Sequence, residues 1–338
     1  MRQGKIRMKK VLVSLVCFMV ALLVGCGVKD DSQNTSSDTS VTITDHIGRE
    51  VTIEKEPETI VSGYYISTSL LIALEQDEKL LGIENDGDKR PVYGLSAPQL
   101  LDLPGMGTVK EFDLETCATM NPDLVILPFK LKDMAESLEQ LGIPVIFVKP
   151  ESQELLAETI EMIGKVTNSE ERAKELQAFI DEKIVELEDA VKNEEAPRVY
   201  LGGNSSFLST SGPAMYQHSM IVNAKGQNVA EDLTDTYWAE VSYEQVLAWN
   251  PEYIILAADT KYTVDDVLND VNLQGCTAVK EKRVYQLPRD IECWDSPVPG
   301  SILGNLWLAS ILHPEAYSVE AYEEAVTEFY ETFYGFTP

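Results

Sequence analysis

The sequence predicts an α/β protein of two lobes, each built on a parallel sheet, joined by one long helix. Three observations carry this. A segment repeats: Phe112 to Pro128 reads FDLETCATMNPDLVILP and Val241 to Ala257 reads VSYEQVLAWNPEYIILA. Each is a helical stretch opened by Leu114-Glu115 or Tyr243-Glu244, an Asn-Pro-acidic turn and a continuous apolar run, the last suited to a parallel strand buried on both faces. Outside the repeat, short β-rich runs alternate with helical segments, the pattern of parallel sheets with helices packed on them. Between the two copies, Leu176, Ile180, Ile184, Leu187 and Val191 fall on one face at three- and four-residue spacing, as in an amphipathic helix. Roughly 300 folded residues also exceed what one compact core holds.

At the N-terminus, Arg2, Lys5, Arg7, Lys9 and Lys10 precede an apolar run from Val11 to Val24, the form of a secretion signal. The run is shorter than the ~20 apolar residues of a comfortable membrane span. It ends in Leu23-Val24-Gly25-Cys26, which resembles a bacterial lipobox, so residues 1–25 are expected to be removed and Cys26 to carry lipid. Two or more buried acyl chains make a stable anchor where one is marginal. Residues 26–40, which include KDDSQNTSSDTS from Lys29 to Ser40, are too polar to fold and read as a tether. Loss of residues 1–25 removes five positive charges and no negative ones, taking the formal net charge from −29 to −34. A field this acidic argues against nucleic acid and anionic membrane surfaces as partners.

The first lobe is assigned to residues 41–166. It starts with the strand in Pro57-Glu-Thr-Ile-Val-Ser-Gly, echoed by Pro197-Arg-Val-Tyr-Leu-Gly-Gly at the start of the second lobe, residues 194–338. Further strands are expected at Leu124 to Leu127, Pro144 to Val148, Tyr253 to Leu256 and Val284 to Leu287, and a helix at Glu151 to Val166. Asn121-Pro122 and Asn250-Pro251 stop their helices because a residue before proline avoids the α region. Residues 167–193 form the connecting helix, capped by Ser169 or Thr167; some 24 residues at 1.5 Å each reach about 36 Å. Of the three cysteines in the folded part, Cys276 could bridge to Cys293, but buried thiols are the commoner reading for these and for Cys117.

Over nearly all of Val41 to Pro338 the chain resembles the helical-backbone, class III solute-binding proteins of ABC importers for siderophores, haem and cobalamin, the Fe/B12 periplasmic-binding type. The resemblance rests on DHIGREVTIEKEPETIV (45 to 61), ALEQDEKLLGI (73 to 83), LETCATMNPDLVIL, LGIPVIFV (141 to 148), the long helix, NVAEDLTDTYWAEVSYEQVLAWNPEYIIL (228 to 256) and WDSPVPGSILGNLWLASILHPE (294 to 315). It departs at Asn223-Ala-Lys-Gly226, where the family commonly has a paired glycine turn. The resemblance implies two Rossmann-like lobes, an iron-siderophore, haem or corrinoid captured between them, and delivery to a permease dimer with its ATPase. It also implies an extracytoplasmic location, lipid anchoring through Cys26, and action as a monomer without a cofactor.

In open α/β sheets, ligands sit in loops at the carboxyl ends of the strands. The residues just past each strand are Tyr64, Tyr65, Thr108 and Phe129 in the first lobe, and Ser205, Phe207, Met215, Tyr216, Trp238, Asp259 and Trp294 in the second. The resemblance singles out Trp238 and Trp294, aromatics that would stack on flat rings. Lys89, Arg90, Lys130, Lys261 and Arg289 are candidates to contact an anionic chelate. His46, His218 and His313 lie far apart, without the clustered spacing of a zinc site; His218, Tyr64 or Tyr65 could reach a haem iron, although for His218 a satisfied polar residue at the start of a helix running into Met220-Ile221-Val222 is the commoner reading. Glu115 and Glu244 occupy matching places in the repeat, and the resemblance assigns such a pair to docking on permease arginines. The rival reading as an enzyme lacks a GxSxG, HExxH, Walker or strand-following GxGxxG motif. A sensory or adhesin module on the same fold is the remaining alternative, and adjacent permease and ATPase genes would discriminate against it.

Overall fold

The computed structural model describes residues 40–234 and 237–338. After an antiparallel hairpin, Val41–Thr44 with Glu50–Ile53, the first sheet comprises β1 (Ile60–Ser62), β2 (Leu80–Gly82), β3 (Leu124–Pro128) and β4 (Val145–Val148). The order is β2-β1-β3-β4 and every pairing is parallel. The second sheet comprises β5 (Arg198–Gly202), β6 (Gln227–Asn228), β7 (Tyr253–Leu256) and β8 (Val284–Gln286), ordered β6-β5-β7-β8 and again all parallel. The two lobes therefore share one topology. Every residue of β1, β3 and β4 is buried, because helices cover both faces of such a sheet.

The repeat is structural down to its caps. Helix α2 (Leu114–Met120) begins where the Asp113 side chain accepts the Thr116 N–H, and α6 (Tyr243–Trp249) where Ser242 accepts that of Gln245. Both end at an asparagine, Asn121 with φ 48° and Asn250 with φ 46°. Both stop their helices at the residue before proline, as expected, and do so by turning left-handed, a conformation asparagine tolerates better than other chiral residues.

The connecting helix, α4 (Glu170–Val191), has 22 residues, about 33 Å of length at 1.5 Å per residue. It buries Leu176, Ile180, Leu187 and Val191, with Ile184 partly buried against the same core. It packs on α3 (Gln153–Val166) of the first lobe and on α5 (Tyr216–Asn223) and α7 (Ser301–Leu312) of the second. Neither Ser169 nor Thr167 caps it: their hydroxyls bond each other at 2.7 Å. That turn is tight enough that a Cβ on Gly164 would meet the Ala173 Cβ at 2.6 Å.

A second connection lies in the closing helix α8 (Val319–Tyr334), which packs on α7 and also on α1 (Tyr65–Ala73) of the first lobe. The Tyr334 hydroxyl donates to the Ser69 carbonyl at 3.2 Å, and the Ser96 hydroxyl to the Tyr334 carbonyl at 2.6 Å. Phe329 and Phe333 meet Phe179 of α4 with ring centroids 5.5 and 5.7 Å apart. Cys117, Cys276 and Cys293 are free thiols, which settles the open alternative at Cys276 and Cys293.

Candidate inter-lobe binding cleft

The loops leaving β1 and β2 face those leaving β7 and β8 across a cleft of about 580 Å³. From the first lobe it is lined by Tyr65, Ser69, Asp86, Lys89 and Arg90; from the second by Asp259, Arg289, Asp290, Glu292 and Cys293. The walls are dominated by charge. The Arg90 guanidinium lies over the Tyr65 ring, 4.1 Å from its centroid, and its Nε donates to Glu84 Oε1 at 3.0 Å. On the same wall Lys89 pairs with Asp86 at 2.8 Å, and on the opposite wall Arg289 pairs with Asp259 at 2.8 Å.

At the floor, Glu292 accepts the Ser69 hydroxyl of the first lobe at 2.9 Å and the Tyr330 hydroxyl of the second at 3.2 Å. Burial pushes its carboxyl up to about 7, against the pull of those two hydrogen bonds and of Arg90. Asp295, buried nearby in sequence, is pushed up to about 6 by desolvation although the Ala258 N–H bonds it at 3.2 Å. A further tie between lobes runs from the Val92 N–H to the Ile291 carbonyl at 3.3 Å.

Of the eleven residues expected to contact ligand, Tyr65 and Asp259 line this cleft. Tyr64 and Phe129, with Lys130 and Lys149, line a smaller first-lobe recess of about 50 Å³, beside the hairpin Gly107–Thr108 with Glu111–Phe112 that carries Thr108. Lys261 lines a shallow recess of the second lobe together with Tyr262 and Arg289. Ser205 is exposed, and Met215 is half-buried at the start of α5. Trp238 is half-buried against Gly203, where a Cβ would meet its ring at 2.6 Å, and does not line the cleft.

Expectations at three residues are corrected. Trp294 is 3% exposed and its indole N–H donates to the Tyr330 hydroxyl at 2.9 Å, so it belongs to the second lobe's core. Phe207 packs between Tyr200 and Tyr243, and Tyr216 is buried with α5 in the main core. The histidines serve the fold: His46 Nδ1 accepts the Lys149 N–H at 2.7 Å, His218 Nδ1 lies 3.2 Å from Asn228 Nδ2, and His313 Nε2 lies 3.3 Å from the Lys225 carbonyl. Glu115 and Glu244 are exposed in the first turns of α2 and α6. Cys26 lies outside the described residues. Glu84 and Glu292 were not anticipated from sequence, since neither sits in a recognisable motif; Glu292 is defined by partners far along the chain, and Glu84 by nearby residues whose side chains only the fold turns toward it.

The profile of a family described as periplasmic binding protein matches residues 60–291. Among curated proteins, the chain is 25% identical to the molybdate-binding protein MolA of Haemophilus influenzae, over 93% of this chain and 96% of that one. It is 25% identical to the uncharacterized ABC transporter substrate-binding lipoprotein YvrC of Bacillus subtilis, over 88% and 94%. Among solved structures, a periplasmic solute-binding protein of Veillonella parvula superposes with a TM-score of 0.76 at 26% identity, covering 88% of this chain and 94% of that one.

Proposed function

The chain belongs to the periplasmic binding protein family and is a solute-binding protein of an ABC importer, and from that premise we propose that its cargo is a metal chelate taken between the lobes. The relatives are substrate-binding proteins of transporters rather than enzymes. The observation that carries the proposal is the cleft itself: about 580 Å³ at the carboxyl ends of two parallel sheets, with an arginine on each wall. Such a surface suits a ferric siderophore, or a haem or cobalamin-like chelate bearing anionic groups. The printed names of relatives span molybdate, petrobactin and vitamin B12, which fits cargo that differs while the architecture persists.

In the same reading, Cys26 anchors the protein outside the cell membrane, the described domain works as a monomer, and Glu115 and Glu244 dock on the permease, one from each lobe. The matched position of the two glutamates in α2 and α6 supports the docking role. The test is calorimetry on the purified mature protein with ferric tris-catecholate, ferric citrate, a ferric hydroxamate, haem, cobalamin and molybdate. One-to-one binding without turnover is expected; binding only of free sugars or amino acids would refute the chelate assignment.

A further inference from the structure

We propose that Glu84 is a positioning residue that holds Arg90 as a preformed donor for anionic ligand oxygens on the first-lobe wall of the cleft. The proposal rests on the cleft being the ligand site, and it adds which charged group is fixed in advance and what chemistry that group selects.

Glu84 follows β2 and is only 5% exposed. Three side chains from two segments converge on it, Arg90 and Tyr93 from one short helix and its N-cap and Thr68 from α1. Oε1 accepts Arg90 Nε at 3.0 Å and the Tyr93 hydroxyl at 2.8 Å, and Oε2 accepts the Thr68 hydroxyl of α1 at 2.7 Å. Tyr93 is itself fully buried. A buried carboxylate persists only when paired and hydrogen-bonded, and here the pairing has a direction. Thr68 and Tyr93 fix the carboxylate from inside the lobe, and the carboxylate fixes the arginine at the cleft surface. The Tyr65 ring, 4.1 Å from Arg90 Cζ, supports the guanidinium from one face.

Arg90 is thereby held by one of its five N–H donors. Among the described residues its Nη groups make no hydrogen bond, and its side chain is one-third exposed where it lines the cleft. A planar fork with free donors matches two oxygens of a carboxylate, catecholate or oxyanion. The other cleft cations lack such support: Arg289 and Asp259 are each 58% exposed, Lys89 and Asp86 69% and 61%. Exposed pairs of that kind fix little. The first lobe thus presents a rigid donor and the second a mobile one.

The test is a double-mutant cycle on the mature protein: wild type, Glu84→Gln, Arg90→Ala and the double variant, titrated with ferric tris-catecholate, ferric citrate and molybdate, and with cobalamin as a ligand without a net anionic charge. Glu84→Gln is expected to weaken the tightest-binding anionic probe about tenfold when Arg90 is present and less than about twofold when it is alanine, a coupling typical of side chains in contact. Equal losses in both backgrounds would show that Glu84 acts on the fold alone and overturn the proposal, as would no loss in either. Wild-type binding confined to cobalamin would also overturn it, leaving the chelate reading in place; a wild type that binds none of these, nor haem or a ferric hydroxamate, would overturn both. Should Glu84→Gln fail to fold, Tyr93→Phe, which removes one donor to Glu84 and keeps every charge, carries the same cycle with the same signs.

Discussion

At Glu292, burial favours the neutral acid while the Ser69 and Tyr330 hydroxyls favour the carboxylate, and burial prevails. The sign of the resulting pH dependence is fixed. The folded protein holds this proton up to about 7, whereas the unfolded chain releases it near 4.5, so between those values the folded state binds more protons and stability falls as pH rises. At ~1.4 kcal/mol per unit the full effect is roughly 3 kcal/mol, and Asp295, raised to about 6, acts in the same direction. Thermal melts of wild type and Glu292→Gln should converge near pH 4 and separate by pH 8, with the glutamine variant showing the flatter profile. Parallel profiles would mean that Glu292 titrates normally. At Trp294, truncation to alanine should cost about 3–5 kcal/mol of stability, the usual range for a buried tryptophan, read by denaturant unfolding; a loss of ligand affinity at unchanged stability would return the ring to the cleft. The sequence could not separate these roles. An aromatic residue just past a strand faces either the cleft or the core, and at Trp294 the choice is made by Tyr330, far along the chain.

Among the elements, α2 and α6 give a paired test because they end in the same left-handed asparagine but differ in what its side chain does. Asn250 Oδ1 accepts the Thr277 N–H at 2.9 Å; no such bond is present at Asn121 among the described residues. Replacement by alanine should cost about 1 kcal/mol at Asn121, since alanine pays the full left-handed penalty, and about 2 kcal/mol at Asn250, where the hydrogen bond is lost as well. Replacement by glycine should be nearly neutral at Asn121 and cost about 1 kcal/mol at Asn250, where a hydrogen bond is lost. Chemical denaturation of the four single variants checks the pattern. At this scale the sequence was most informative: the repeat, the strands and the long helix all show in spacing and composition. The role of α8 was not legible, because amphipathic spacing shows that a helix has a partner without showing which lobe supplies it.

For the whole molecule, exposed carboxylates at matched positions predict a separation of functions. In cells carrying Glu115→Lys with Glu244→Lys, chelate uptake should be nearly abolished while the purified protein keeps wild-type affinity, because reversed charges repel a basic partner and leave the cleft untouched. Normal uptake by the double variant would remove the docking role.

The packing of α8 on α1 also orders events in time. Eight of the nine residues of α1 are buried, and part of their cover, Tyr334, lies 265 positions after Ser69, to which its hydroxyl donates. As the chain is synthesised, the first lobe has its strands and turns at hand but keeps one apolar flank open until α8, beyond the whole second sheet, has been made. The lobe made first is therefore completed only after the sheet of the second lobe has been made.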